Sequence, residues 1–193
     1  MNKKSREMFV AVLILVVIII STIFVYISTN NNDGNNNASQ NHGEGKTIVL
    51  TVQEYFDDGN YETNYTTHVF HNDYKSLSDG DILVIKGEIL RQPRYGNLPW
   101  WVRNLTHIQK ATDLVLGGGA EWPLVIYVSK NVTNVYEVNE TVEVTLHIKY
   151  YDIYQDYGGE TWHIYGELPS EAVFNGQYTL GEIIVPPSQV KKA

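Results

Sequence analysis

The pattern of hydrophobic and polar positions divides the chain near residue 29. Residues 8–27 carry no charge, and only Ser21 and Thr22 among them are clearly polar. At 1.5 Å per residue a helix of this length spans about 30 Å, which is the thickness of the hydrocarbon core of a bilayer. The pattern therefore predicts one transmembrane helix over residues 8–28.

Basic residues near the ends of this helix predict its orientation. Lys3, Lys4 and Arg6 precede it, whereas the first basic residue after it is Lys46. By the positive-inside rule, residues 1–7 form a cytoplasmic tail and the rest of the chain lies outside the cell membrane. A cleaved signal peptide is the alternative. The long apolar stretch and the absence of a small-residue cleavage site favour an uncleaved anchor.

A polar segment separates the apolar stretch from the rest of the chain. Residues 29–46 contain seven Asn, three Gly and no large apolar side chain. Such a segment cannot bury enough apolar surface to offset its ordering entropy. It is predicted to be a flexible linker.

From residue 47 onward the hydrophobic pattern has a period of two, which is typical of β-strands. The clearest strand is 141–151, in which Val142, Val144, Leu146, Ile148 and Tyr150 share one face. The Gly-Gly pair at 158–159 and the Asn-Gly pair at 175–176 are typical of β-hairpin turns. Further strands are predicted at 47–52, 81–90, 112–116, 124–128 and 161–167, with only a weak helical turn near 131–138. An all-β domain over 47–187, followed by a tail at 188–193, is expected.

The stretch Leu77-Ser-Asp-Gly-Asp-Ile-Leu-Val-Ile-Lys-Gly-Glu-Ile-Leu90 resembles the opening strand of OB-fold domains. In that family the first strand bends sharply, and a mid-strand glycine such as Gly87 permits the bend. The strands that follow, up to about residue 168, match the family's five-strand order. The resemblance implies a small OB-like Greek-key barrel. An immunoglobulin-like β-sandwich is the alternative.

Charge and composition narrow the classes of function. Residues 47–193 carry 10 Lys and Arg against 19 Asp and Glu. A net negative domain is poorly suited to bind a phosphate backbone, so no nucleic-acid partner is expected. The chain has no Cys, which excludes disulfides, a thiolate zinc site and a Cys nucleophile.

No motif predicts catalysis, a metal site or a cofactor. The hairpin spacing keeps His147 and His163 apart, and His68 and His71 fall on opposite faces of a strand. Acidic residues at 57–62 lack the spacing of an EF-hand loop. The three glycines at 117–119 lack the following Lys and helix of a phosphate-binding loop.

The long loop after the Gly87 strand is the predicted ligand surface. In OB-like domains this loop and the sheet face beside it commonly bind the ligand, and Trp with Arg suits stacking on sugars or protein hot spots. The alternative is that Trp100 and Trp101 only close one end of a barrel. The candidate ligand-binding residues are Arg91, Arg94, Trp100, Trp101, Arg103 and Trp122.

Five Asn-x-Ser/Thr sequons are candidate N-glycosylation acceptors, consistent with a domain outside the membrane. They begin at Asn37, Asn64, Asn104, Asn131 and Asn139.

Together these features predict a single-pass membrane protein whose external β-domain is a non-catalytic binding or envelope-associated module. Its partners would be the bilayer, through residues 8–28, and a cell-surface protein or glycan. One alternative is an extracytoplasmic carbohydrate-acting hydrolase that uses the Trp/Arg loop and nearby carboxylates. Another is a purely structural envelope spacer. A flat, tyrosine-rich sheet face would favour binding.

Overall fold

The described part of the chain is mostly β, as the alternating pattern predicts. A computed structural model describes residues 45–157, 159–174 and 182–193. Within these ranges, twelve strands belong to one hydrogen-bonded sheet. They are β1 Thr47–Thr51, β2 Gly59–Asn64, β3 Val69–Tyr74, β4 Ile82–Ile89, β5 Arg94–Asn97, β6 Lys110–Gly117, β7 Leu124–Val128, β8 Thr141–Tyr157, β9 Glu160–Pro169, β10 Ala172–Val173, β11 Glu182–Val185 and β12 Val190–Lys192.

Two seven-residue helices were not predicted from the sequence pattern. Helix α1, Val52–Asp58, begins with a capping box in which Thr51 and Glu54 bond each other's backbone N–H. Helix α2, Trp100–Thr106, follows Pro99 and ends at His107. A short 3₁₀ helix covers Pro187–Gln189. Near 131–138, where the pattern predicts a weak helical turn, the structure has tight turns and irregular backbone but no helix.

Strand β4 pairs with three neighbours. One edge pairs with β8 over residues 82–88, and the other pairs in parallel with β1 over residues 82–86 and then with β6 at Glu88 and Ile89. β6 pairs with β7, and β7 pairs in parallel with β11. β12 pairs with β8. A short segment with the 3₁₀ helix separates β11 from β12. The pairings therefore form a closed series that runs from β4 through β6, β7, β11, β12 and β8 back to β4.

Residues 188–193 are expected to form a tail, but three of them form strand β12 of the sheet. Val190 is buried and lies opposite Val144 of β8, and the Tyr136 hydroxyl donates a 3.0 Å hydrogen bond to the Val190 carbonyl. The β-domain therefore extends past residue 187. The polar segment also ends earlier than 46, since the Lys46 N–H donates to buried Asp81 at 2.9 Å.

The main core is formed by the predicted inward positions. Leu83, Ile85 and Ile89 of β4 and residues 142–148 of β8 alternate into it. Gly87 is buried on the same face, where a Cβ would lie 2.9 Å from the Gly117 carbonyl oxygen and 3.0 Å from Val52 Cγ2. Tyr150 was predicted to face inward but is largely exposed, because β8 has left the core by that point.

Beyond residue 148, β8 enters a second group of strands. There it pairs with β9 from Ile148↔Pro169 to Tyr157↔Glu160, so the hairpin loop contains two residues, 158 and 159. β9 pairs in parallel with β3, and β3 pairs with β2. We call β2, β3, β9 and residues 149–157 of β8 the ribbon. One face of the ribbon covers a small core of Phe70, Ile164, Leu168 and Phe174.

No helix of the described ranges has the length and apolar character needed to cross a membrane. The predicted cytoplasmic tail 1–7, transmembrane helix 8–28 and most of the linker lie outside the described residues, as does the Asn175-Gly176 pair.

Candidate functional site

The Arg residues of the predicted ligand loop are partly engaged within the protein. Arg91 Nη2 lies 2.6 Å from Asp113 Oδ2, and the Arg94 backbone N–H donates to Asp113 Oδ1 at 2.9 Å. Tyr127 lies opposite Asp113 on β7. Partial burial raises the pKa of Tyr127 to about 12, and the charges of Glu182 and Asp113 add to the rise. This phenol therefore stays protonated at neutral pH and does not act as a base.

The three candidate tryptophans do not form one cleft. Trp101 is 8% exposed and packs in a small core with Leu98, Val102, Ala111 and Ile184, whereas Trp100 is 61% and Trp122 is 70% exposed. α2, which holds Trp100, Trp101 and Arg103, packs at the Lys110 end of β6, and Trp122 follows the opposite end. At about 3.3 Å per residue these ends are about 20 Å apart.

The sequon residues within the described ranges are all exposed. Asn64 ends β2, Asn104 lies on α2, and Asn131 and Asn139 lie in the connection between β7 and β8. Their positions leave each side chain open to solvent. Asn37 is outside the described residues.

The described residues contain no group of three His, Asp or Glu side chains arranged to hold a metal ion. The His147 ring contacts the Glu171 carboxylate, and the His163 ring contacts the Asp152 carboxylate on the ribbon, each at 2.7 Å. Of the acidic segment 57–62, Asp57 accepts a hydrogen bond from Gln53 and Asp58 accepts one from the backbone of Ser76.

The outer face of the ribbon carries a set of side chains that the sequence analysis did not bring together. Strand pairing places Tyr154 opposite His163, and Asp152 opposite Tyr165. The parallel pair of β9 and β3 places Tyr165 beside His71, and His71 lies opposite Glu62 of β2. Paired residues share a face, so Asp152, Tyr165, His71 and Glu62 form one row across four strands, and Tyr154 and His163 form a shorter row beside it.

Four rings on this face form a continuous stack. Tyr154 and His163 are parallel within 9°, with ring centroids 4.5 Å apart. The His163 and Tyr165 centroids are 4.9 Å apart, and those of Tyr165 and His71 are 4.3 Å apart. His163 and Tyr165 each have a ring neighbour on either side in this series. Tyr154 ends the stack and is 73% exposed, so one of its ring faces is open to a ligand.

Carboxylates surround the ring stack. The outward positions of the four strands carry Glu62, Asp73, Asp152, Asp156 and Glu167. Asp152 accepts a 2.7 Å hydrogen bond from His163, and Asp73 lies 3.0 Å from His71. We call this surface, with the four stacked rings and the five carboxylates, the aromatic–acidic face.

Like charges lie close together within the face. Partial burial raises the pKa of Glu167 above its ordinary value, and the adjacent Asp73 charge raises it further. The two carboxyl groups are close enough to share a hydrogen bond when one is protonated. Such a pair favours a cation beside it, since a cation relieves the repulsion.

The backbone beneath the face is fixed by close packing. Gly166 has φ +107°, and a Cβ there would lie 1.9 Å from the Asn72 carbonyl oxygen, so β9 and β3 approach more closely than another residue would allow. The buried Asn72 side-chain amide donates to the Glu167 carbonyl at 2.6 Å. The ring stack therefore stands on a preorganised support.

An open depression of about 550 Å³ adjoins the inner end of the stack. Its walls include Glu62, Asn64, Thr67, His71 and Tyr165. It offers a carboxylate, an amide and a hydroxyl beside two rings, which is enough space and polarity for a side chain of a partner.

Sequence reasoning missed this site for an identifiable reason. Alternation within residues 150–156 places Tyr150, Asp152, Tyr154 and Asp156 on one side of a strand, but the strand was predicted to end at 151. The parallel pairing that brings His71 to Tyr165 joins residues 94 positions apart, and no local pattern predicts it.

Comparison of the chain with protein-family models, with curated protein sequences and with solved structures finds no match.

Proposed function

We propose that this protein is a non-catalytic binding module, held outside the cell by its N-terminal helix, and that it binds its partner through the aromatic–acidic face. The observation that carries the proposal is the exposed ring stack with its surrounding carboxylates. Rigid, half-exposed aromatic side chains of this kind are enriched where proteins contact partners.

The anchor and the orientation rest on the sequence. The uncharged stretch at 8–28 is long enough to cross a bilayer, and the basic residues at 3–6 favour the cytoplasmic side for the N-terminus. The exposed sequons of the domain are consistent with a location outside.

For the architecture, the proposal is an OB-like barrel with the ribbon as an addition. The returning series of pairings, with β11 and β12 acting as one interrupted strand between β7 and β8, supports it. So does buried Gly87, where one edge of β4 changes its partner from β1 to β6. The parallel pairs β1–β4 and β7–β11 count against an immunoglobulin-like sandwich, whose sheets are antiparallel.

Binding is favoured over hydrolysis of carbohydrate. A glycosidase needs two carboxyl groups about 5–10 Å apart, with space for a sugar or a water between them. Asp73 and Glu167 are in direct contact, which leaves no such space. The Trp/Arg loop offers no cleft, since Trp101 is buried and Arg91 is paired. The acidic face also disfavours nucleic acid.

The test compares two surfaces of the full chain. The protein, immobilised in detergent through an N-terminal tag, is exposed to solubilised cell envelope, and captured species are quantified. Tyr154→Ala with His163→Ala should abolish the specific capture, while Trp100→Ala with Trp122→Ala should retain it. Circular dichroism checks that both variants are folded.

Equal capture by the two variants would contradict a role for the ribbon. Conversion of a captured molecule into a product, lost in the same ribbon variant, would show an enzyme instead of a binding module.

A further inference from the structure

The charge of the aromatic–acidic face specifies the chemistry of its partner. Five carboxylates lie on the outward positions of the ribbon. The described ribbon strands contain one Lys, Lys149, and no Arg. Lys149 points to the opposite side of β8, where its ammonium lies 5.6 Å from the Tyr151 ring centroid. The carboxylates of this face therefore have no Lys or Arg partner within the ribbon. A complementary partner is cationic.

We propose, on the basis of the function proposed above, that the face binds an extended, arginine-bearing segment of another protein. The open ring of Tyr154 lies between Asp152 and Asp156, each two residues away and about 7 Å distant along the strand. A guanidinium can stack on that ring while it donates paired hydrogen bonds to a flanking carboxylate. A lysine ammonium cannot make the paired contact.

The depression at the other end of the stack supplies a second seat. Glu62 forms part of its wall, and His71 and Tyr165 lie beside it. From β8 across β9 and β3 to β2 there are three strand spacings, or about 14 Å. In an extended peptide, side chains four residues apart point the same way and are about 13 Å apart. The two seats thus match arginines at positions i and i+4.

The probe is a fluorescent peptide with the core Arg-Thr-Ser-Thr-Arg, titrated by anisotropy into the full-length chain in detergent. The comparison peptides replace both Arg by Lys, replace both by Gln, or move the second Arg to position i+3, which points the other way. We expect binding of the first peptide to be about tenfold tighter than that of each other peptide, and to weaken with added salt.

Two charge variants locate the binding. Asp152→Asn with Glu62→Gln removes one carboxylate from each seat and should weaken binding of the arginine peptide about tenfold. Glu121→Gln with Glu137→Gln makes the same change in net charge at exposed positions away from the ribbon and should leave binding unchanged. Equal weakening by both variants would overturn the inference, because net charge would then explain the binding.

The outcomes separate this inference from the proposed function. If the arginine peptide binds no more tightly than the comparison peptides, the arginine-bearing partner is overturned. If the envelope capture still depends on Tyr154 and His163, the binding module stands. A different outcome is that a neutral oligosaccharide is captured through Tyr154 and His163 and is unaffected by Asp152→Asn with Glu62→Gln. That result would overturn the arginine-bearing partner and leave the binding module standing. Failure of both the peptide and the ring-dependent capture would overturn the function as well.

Discussion

At the scale of single residues, Gly87 has the least freedom to change. It lies on β4 at the point where the partner along one edge changes from β1 to β6, and the Gly117 carbonyl and Val52 occupy the space that a side chain would need. Gly87→Val should lower the free energy of unfolding by more than about 2 kcal/mol, since the added methyl groups cannot be accommodated without backbone shifts. A urea melt measures this.

Gly96 provides a matched control for that substitution. It lies on exposed β5, and a Cβ there would have no heavy atom within 4 Å. Gly96→Val should be neutral or slightly stabilising, because valine has the better strand propensity. An unchanged midpoint for Gly87→Val would contradict the close packing at β4 and the barrel proposed from it.

Glu171 shows how one carboxylate joins three elements. It accepts hydrogen bonds from the His147 backbone and ring on β8, at 3.1 and 2.7 Å, and from Gln189 at 2.6 Å. Burial acts to raise the pKa of Glu171, but these hydrogen bonds outweigh it and hold the pKa below its ordinary value. The folded state therefore binds this proton more weakly than the unfolded state.

The sign of the pH dependence follows from that difference. The ionised group contributes stability above pH 4.5, its unfolded-state pKa, and the contribution is lost as the pH falls through the lower folded-state value. Glu171→Gln should cost about 1.5–3 kcal/mol at pH 7 and clearly less near pH 3. Denaturant melts at both pH values test this, with Glu121→Gln as the control. An equal loss at the two pH values would mean that packing, not charge, explains the effect.

At the scale of elements, the sequence predicted strands better than helices. β4 and the first half of β8 alternate over five or more residues against one core, so a period of two is visible, whereas β7 is an apolar run bounded by turns. α1 and α2 have seven residues each, too few for helical periodicity. The Thr51 and Glu54 spacing was a usable signal for α1, because it is a capping box. The ribbon site depends on a parallel pairing between distant segments, which no local pattern encodes.

β12 is the element whose removal should reveal the most. We expect residues 45–193 to fold alone, and truncation after residue 187 to lower stability by about 3 kcal/mol or more, because buried Val190 and the β8 pairing are lost. Thermal and urea melts of the two fragments give the comparison. Lys191→Gln with Lys192→Gln in the longer fragment removes only exposed ion pairs and should leave the midpoint nearly unchanged. Equal stability of the two fragments would show that β12 is dispensable.

At the scale of the whole molecule, the orientation of the chain is directly measurable. We expect protease added to intact cells to digest the β-domain, because by the positive-inside rule the basic residues before the apolar segment favour an outside location for the residues after it. A cytoplasmic marker protein must remain intact in the same sample. Protection of the entire chain would reverse the orientation. A soluble form that begins near residue 29 would identify the apolar segment as a cleaved signal.

The position of Asp81 has a mechanical consequence. The Asp81 carboxylate accepts the backbone N–H of Lys46 and lies 3.7 Å from the Lys46 ammonium. The Asp81 backbone carbonyl accepts the N–H of Ile148, where β8 passes into the ribbon. A partner pulling on the aromatic–acidic face would thus transmit tension through β8 to Asp81 and on to the preceding chain by a few hydrogen bonds. Resistance to force in this protein should therefore depend on Asp81 far more than its contribution to equilibrium stability suggests.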